Sequence, residues 1–194
     1  MARSAGLGVD LETEAHMIIL IGGSSHVGKT LLAQKLLEKL KYPYLSLDHL
    51  KMMFIRGRLT DLTCEDDYEM RYFLWPYAAE LIKTAIENNQ NMIVEGCYIP
   101  SEWREQFDES YLKDIKCFFI TMSEEYLRKN IGAVEDYGSV IERRLEDEVD
   151  LERLINCSKE FKEEAENYDI PVIEITDKYD IDEILNKALD IISK

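Results

Sequence analysis

Apolar residues fall into two rhythms along this chain. Short unbroken runs occur at Ile18-Ile19-Leu20-Ile21, Tyr44-Leu45-Ser46-Leu47, Met92-Ile93-Val94, Ile115 to Thr121 and Pro171 to Ile175. Runs of this length with little polar alternation read as strands covered on both faces. Between them the spacing turns helical. Leu32, Leu36 and Leu40 form a stripe that Tyr42-Pro43 stops, because the residue before proline avoids the α region. The second strand reads as ending at Asp48, with helix from His49 to Gly57 and again from about Glu65 to Asn88. Thr63 with Asp66 resembles a capping box opening that second piece, and Pro76 should start a new helix or kink it. Ser101 is a cap for a short helix holding Trp103 and Phe107, and Ser123 opens the next helix. A break around Gly132 to Gly138 then precedes a long polar helical region reaching Tyr168. Asp180 with Glu183 caps the last helix.

Strands that alternate with helices predict an α/β fold, a parallel sheet with right-handed crossovers and helices on both faces. A chain of 194 residues is large enough for one such domain with a sizeable core. No linker-like segment interrupts the alternation, so the domain is expected to span 17–194. Residues 1–16 are mixed in character and lack an apolar signal core. Met17 reads as the natural start, with 1–16 a vector-derived leader.

Charge narrows the partners. The formal net charge is -16, and the basic residues form no run. Such a chain repels nucleic acid and anionic membrane, which leaves a small molecule as the expected partner. Oligomeric state is not legible. Cys64, Cys97, Cys117 and Cys157 are scattered without a C-x-x-C pair, which argues against a zinc site or a disulfide scaffold. Reduced cysteines suit the cytoplasm. No apolar stretch approaches the roughly 18 residues that cross a bilayer.

Chemistry enters at Gly23-Ser24-Ser25-His26-Val27-Gly28-Lys29-Thr30, placed between the first strand and the first helix. This is the complete P-loop spacing, G-x-x-x-x-G-K-[ST]. Gly23 and Gly28 allow left-handed turns and close approach to phosphates. The loop N–H groups then form an anion cradle at the positive end of the helix. Lys29 reaches the β- and γ-phosphates, and the Thr30 hydroxyl is a ligand for Mg²⁺. His26 either donates to a phosphate oxygen or fills a variable position.

GGSSHVGKT at 22–30, LSLDHLKMMFIRGR at 45–58 and MIVEGCYIP at 92–100 together resemble the P-loop kinases of the adenylate kinase type. Small-molecule members of that group include shikimate kinase, gluconate kinase, chloramphenicol phosphotransferase and proteins labelled as 2-phosphoglycerate kinases. The resemblance implies a three-layer P-loop NTPase fold with five parallel strands in the order 2-3-1-4-5. It also implies acceptor-covering helices at about 49–89 and an arginine-bearing lid at about 128–144. Asp48 matches the acidic residue that contacts the acceptor hydroxyl, where a carboxylate can orient the hydroxyl and accept its proton. A helix N-cap is its other reading. Glu95 stands where such enzymes place a carboxylate near the metal's water shell, and a substrate-facing role is equally open. Tyr98 and Trp103 either wall the acceptor pocket or belong to the core. Arg56 and Arg58 are the first arginines to consider for an anionic acceptor. Among Arg128, Arg143 and Arg144, Arg128 ranks first for the transferring phosphoryl group. The acidic runs Glu135-Asp136 and Glu146-Asp147-Glu148 depart from nucleotide-kinase lids.

Thr176-Asp177-Lys178-Tyr179 follows the last strand, where the resemblance implies backbone contacts to adenine. A guanine-reading Asn-Lys-x-Asp element is absent, which favours ATP. The resulting expectation is ATP- and Mg²⁺-dependent phosphoryl transfer to a small-molecule hydroxyl. A nucleotide-dependent switch ATPase and a nucleoside monophosphate kinase are the alternatives.

Overall fold

A computed structural model describes residues 16–137 and 150–194. Five strands form one parallel sheet: β1 (Ile18–Gly23), β2 (Tyr44–Ser46), β3 (Met92–Glu95), β4 (Ile115–Met122) and β5 (Val172–Ile175), in the order β2-β3-β1-β4-β5. The expected order 2-3-1-4-5 holds. The helices are α1 (Lys29–Leu40), α2 (Leu47–Arg56), α3 (Asp67–Glu87), α4 (Glu109–Leu112), α5 (Glu124–Tyr137), α6 (Leu151–Asn167) and α7 (Ile181–Ile192). Side chains of β1 alternate between two cores. Ile18 and Leu20 join Leu74, Trp75 and Ile82 of α3 and Phe161 of α6, whereas Ile19 and Ile21 join Leu32 and Leu36 of α1 and Ile184 of α7. Helices thus cover both faces, which is why the strands are apolar without interruption.

Several boundaries differ from expectation. The ladder of β2 ends at Ser46, in register with Glu95, and Leu47 and Asp48 already belong to α2. Ser46 takes the N-cap position, so Asp48 lies in the first helical turn and does not cap. Asp66 precedes α3, and its carboxylate reaches back to the Thr63 amide at 2.7 Å and hydroxyl at 2.8 Å. The box therefore stabilises the loop before α3, and the helix starts three residues later than a Thr63 cap would start it. Pro76 is inside α3, which runs through it. Trp103–Gln106 is a 3-10 turn, and the Ser101 hydroxyl bonds the Glu102 carboxylate and caps nothing. The helix is interrupted at Asn130 and not at Gly132: α5 kinks at Asn130, whose φ is -124, and then runs on through Gly132 to Tyr137. A Cβ at Gly132 would meet nothing within 4 Å, so the helix accepts this glycine without a packing reason. The rest of the expected break, with Gly138, Arg143 and Arg144, lies outside the described residues.

The caps at Ser123 and Asp180 form as expected. Ser123 Oγ accepts from the Tyr126 amide at 3.1 Å, and Asp180 Oδ1 accepts from the amides of Asp182 and Glu183. Among the described residues no helix is long and apolar enough to cross a membrane.

Candidate phosphate and acceptor site

The loop from β1 into α1 is shaped by its glycines. Gly23 has φ +118, and a Cβ there would sit 2.0 Å from the Ile120 carbonyl oxygen. That close approach lets the Ser24 amide donate to the same oxygen at 3.2 Å, which ties the loop to β4. Gly28 has φ +84, and its missing Cβ leaves the space that the Tyr179 hydroxyl occupies. His26 also takes a left-handed conformation. The helix α1 starts at Lys29 with no acidic residue in its first turn, so its positive end is unopposed.

Lys29 is buried and donates to the Ser24 carbonyl at 2.6 Å, curling back over the loop. Thr30 Oγ1 donates to Glu95 Oε1 at 3.2 Å. Glu95, at the end of β3 and in register with Ile21, is buried. A hydroxyl beside a buried carboxylate, at the lip of an anion cradle, is an oxygen set that fits Mg²⁺. That ion keeps several waters and needs only one or two protein ligands.

Helix α6 seats the loop from behind. Ser158 Oγ and Ser24 Oγ are 2.8 Å apart in a buried hydrogen bond. Burial raises the Cys157 pKa, and it pushes the Cys97 thiol up to about 11 against the lowering field of Lys29. The charges of Asp48 and Asp67 add to that rise.

Asp48 is half-buried in the first turn of α2, and no hydrogen bond holds it among the described residues. One turn later, Lys51 is buried and donates to Tyr98 Oη at 2.6 Å and Asp67 Oδ1 at 3.0 Å. Tyr98 Oη donates to the same Asp67 oxygen at 2.9 Å, and Arg153 of α6 donates to Asp67 Oδ2 at 3.0 Å. Burial and the neighbouring carboxylates of Asp48 and Asp67 raise the Tyr98 pKa far above its ordinary value. Lys51, Asp67, Arg153 and Ser158 were not singled out in the sequence. The available signal was at Lys51, which shares the 47, 50, 51, 54 face of α2 with apolar residues.

The other candidates are dispersed. Arg56 is exposed at the last position of α2 and Arg58 just beyond it, and Trp103 is buried in the core. Arg128 sits on α5, where its guanidinium pairs with Glu124 and Glu152, each at 2.8 Å. These two carboxylates raise its pKa further. The structure sets Thr30 against Glu95 and Lys29 over the loop, with Asp48 and Tyr98 just past the ends of β2 and β3, whereas Arg56 and Arg58 are exposed and Arg128 is held by Glu124 and by Glu152, the residue before Arg153. Arg71 of α3, not expected from the sequence, donates to Glu164 at 3.1 Å and stacks 4.5 Å over the Phe161 ring.

Comparison with known proteins agrees with this architecture. A family model described as an AAA domain matches residues 17–153. Among solved structures, shikimate kinase from Acinetobacter baumannii in complex with shikimate superposes with TM-score 0.57 at 16% identity, covering 93% of this chain and 94% of that one. A deoxyadenosine kinase from M. mycoides with bound dATP gives 0.56 at 16% identity, covering 92% and 100%. A gluconokinase from Sinorhizobium meliloti 1021 gives 0.55 at 15% identity, covering 92% and 93%. The chain has the fold of these P-loop kinases. No curated protein matches its sequence.

Proposed function

We propose that this chain, which belongs to the AAA domain family, transfers the γ-phosphoryl group of ATP to a hydroxyl of a small molecule. The observation that carries the reading is the Thr30–Glu95 hydrogen bond at 3.2 Å, made between the first turn of α1 and the end of β3, the strand that pairs with the one leading to Asp48. Cradle, hydroxyl–carboxylate pair and acceptor-side carboxylate then share one crevice at the carboxyl edge of the sheet.

In this reading the backbone amides of 23–28 and the α1 N-terminus hold the phosphates. Lys29 exchanges the Ser24 carbonyl for a phosphate oxygen. Thr30 and Glu95 would hold Mg²⁺, which offsets charge on the β- and γ-phosphates when bound. Asp48 orients the acceptor hydroxyl, whose oxygen bonds to the γ-phosphorus as the bond from that phosphorus to the β-phosphate bridging oxygen breaks. The hydroxyl proton passes to Asp48, and ADP leaves. Helices α2 and α3 cover the acceptor, and the part of the expected lid beyond Tyr137 lies outside the described residues. Arg128 takes part only after releasing Glu124 and Glu152.

The test is ADP release from ATP and Mg²⁺ across a panel of sugars, hydroxy acids, nucleosides and antibiotics. Release that depends on one compound, and that Lys29→Ala lowers by about a hundredfold or more, supports the reading. Equal slow release with every compound supports the switch ATPase instead.

A further inference from the structure

We propose that Lys51 selects the acceptor, and that the acceptor carries an oxyanion, a carboxylate or a phosphate monoester, close to the hydroxyl it presents. The inference rests on the kinase reading and adds the chemical class of its substrate.

A lysine whose side chain is only 9% exposed is uncommon, and its charge needs a partner. That partner is Asp67, whose side chain is 41% exposed and whose other oxygen serves Arg153. Two cations therefore share one carboxylate, in a chain whose net charge is -16. Stability does not require this arrangement. Replacing a buried ion pair with well-packed apolar residues is often neutral or stabilising, so stability alone does not account for a lysine buried here.

Position supplies the task. Lys51 stands three residues after Asp48, on the same side of α2, at a rise of about 4.5 Å. If Asp48 holds the hydroxyl, an oxyanion a few bonds away on the same small molecule meets Lys51. The donor set already grips a carboxylate: Asp67 takes Lys51 and Tyr98 on one oxygen and Arg153 on the other. Two of the three Lys51 donors are engaged at 2.6 and 3.0 Å. The third points to the Cys64 carbonyl at 3.4 Å, longer than a good hydrogen bond, and is the one free to exchange for a ligand oxygen.

The experiment measures kcat/KM for matched acceptors: short hydroxy acids, their amides and methyl esters, and phosphate monoesters of the corresponding diols. Wild type should prefer an acid or a phosphate ester to its neutral counterpart by about ten- to a hundredfold, the range for one charge-assisted hydrogen bond. The two anionic arms separate carboxylate from phosphate. Lys51→Met should bring the preference close to one, and Lys51→Arg should restore part of it. If Lys51→Met fails to fold, Tyr98→Phe keeps the ring, removes the hydroxyl that Lys51 contacts, and should reduce the preference severalfold. A neutral compound used as well as the best anion, or a preference that survives Lys51→Met, overturns the inference and leaves the kinase reading intact. ADP release that no compound stimulates overturns the kinase reading and the inference with it.

Discussion

Asp48→Asn separates chemistry from architecture at one position. The side chain keeps its shape and loses its charge. Among the described residues Asp48 makes no hydrogen bond, and the cap of α2 is Ser46, so no structural bond is lost. What the native carboxylate gives to folding is its attraction to the positive end of α2, about 0.3–1 kcal/mol for an acidic residue in a first turn. In a domain of this size that corresponds to a fall in Tm of about 1–4 °C. Nucleotide affinity should hold, because Asp48 lies outside the loop that holds phosphate. Phosphoryl transfer should fall by about two to four orders of magnitude, the range for a positioned acid–base group. Three readings decide the matter: Tm by calorimetry, ADP affinity by titration, and kcat with the acceptor found in the panel. A kcat within about twofold of wild type refutes the assignment, whatever Tm does. A large loss of ADP affinity refutes it too, because Asp48 would then belong to the nucleotide site.

Gly28→Ala should abolish ADP binding by titration, since φ +84 disfavours alanine and its Cβ would sit 2.1 Å from the Tyr179 hydroxyl. Retained binding would mean that the loop relaxes freely. Ser158→Ala leaves the Ser24 hydroxyl buried without its partner at 2.8 Å and should lower stability by about 1–3 kcal/mol in urea unfolding, with weaker ADP binding. Unchanged ADP affinity would show that α6 does not hold the cradle in its working shape. Thiol labelling of the folded protein should be fast at exposed Cys64 and slow at the others. Burial raises the pKa of Cys97, Cys117 and Cys157 and so suppresses their thiolates at pH 8. Fast labelling of a Cys64→Ser variant would contradict this.

The parts legible in the sequence are those whose geometry is local. The phosphate loop is encoded by residue type at fixed spacing, although the residues that crowd its glycines, Ile120 at Gly23 and Tyr179 at Gly28, are distant in sequence. The strands were legible because both faces are covered, which leaves apolar runs such as Ile18–Ile21. Boundaries were harder where one residue serves two elements. Leu47 suits a strand by type, yet β2 has no ladder partner beyond Ser46, and the chain turns into helix there. Gly132 weakens a helix by about 1 kcal/mol, yet the interruption of α5 falls two residues earlier, at Asn130.

The acceptor side is encoded differently, and this explains why only its isolated members were visible. Asp48, Glu95 and Tyr98 each follow a strand, so the carboxyl edge of a parallel sheet brings them together with no knowledge of their contacts. Lys51, Asp67 and Arg153 lie on helices, and what joins them is separation in sequence: 16 residues from Lys51 to Asp67, 47 to Tyr98 and 86 from Asp67 to Arg153. No period or spacing within one element reports such pairs. Yet α2 does contain a warning, since a helix that buries Leu47, Leu50 and Phe54 also buries position 51. A lysine on that face must find a carboxylate or lose its charge, so its burial predicts a partner before any fold is known. Which carboxylate answers is decided by topology. The β2-to-β3 crossover lays the start of α3 against α2, and α6 returns across the sheet to bring Arg153 to the same oxygen pair.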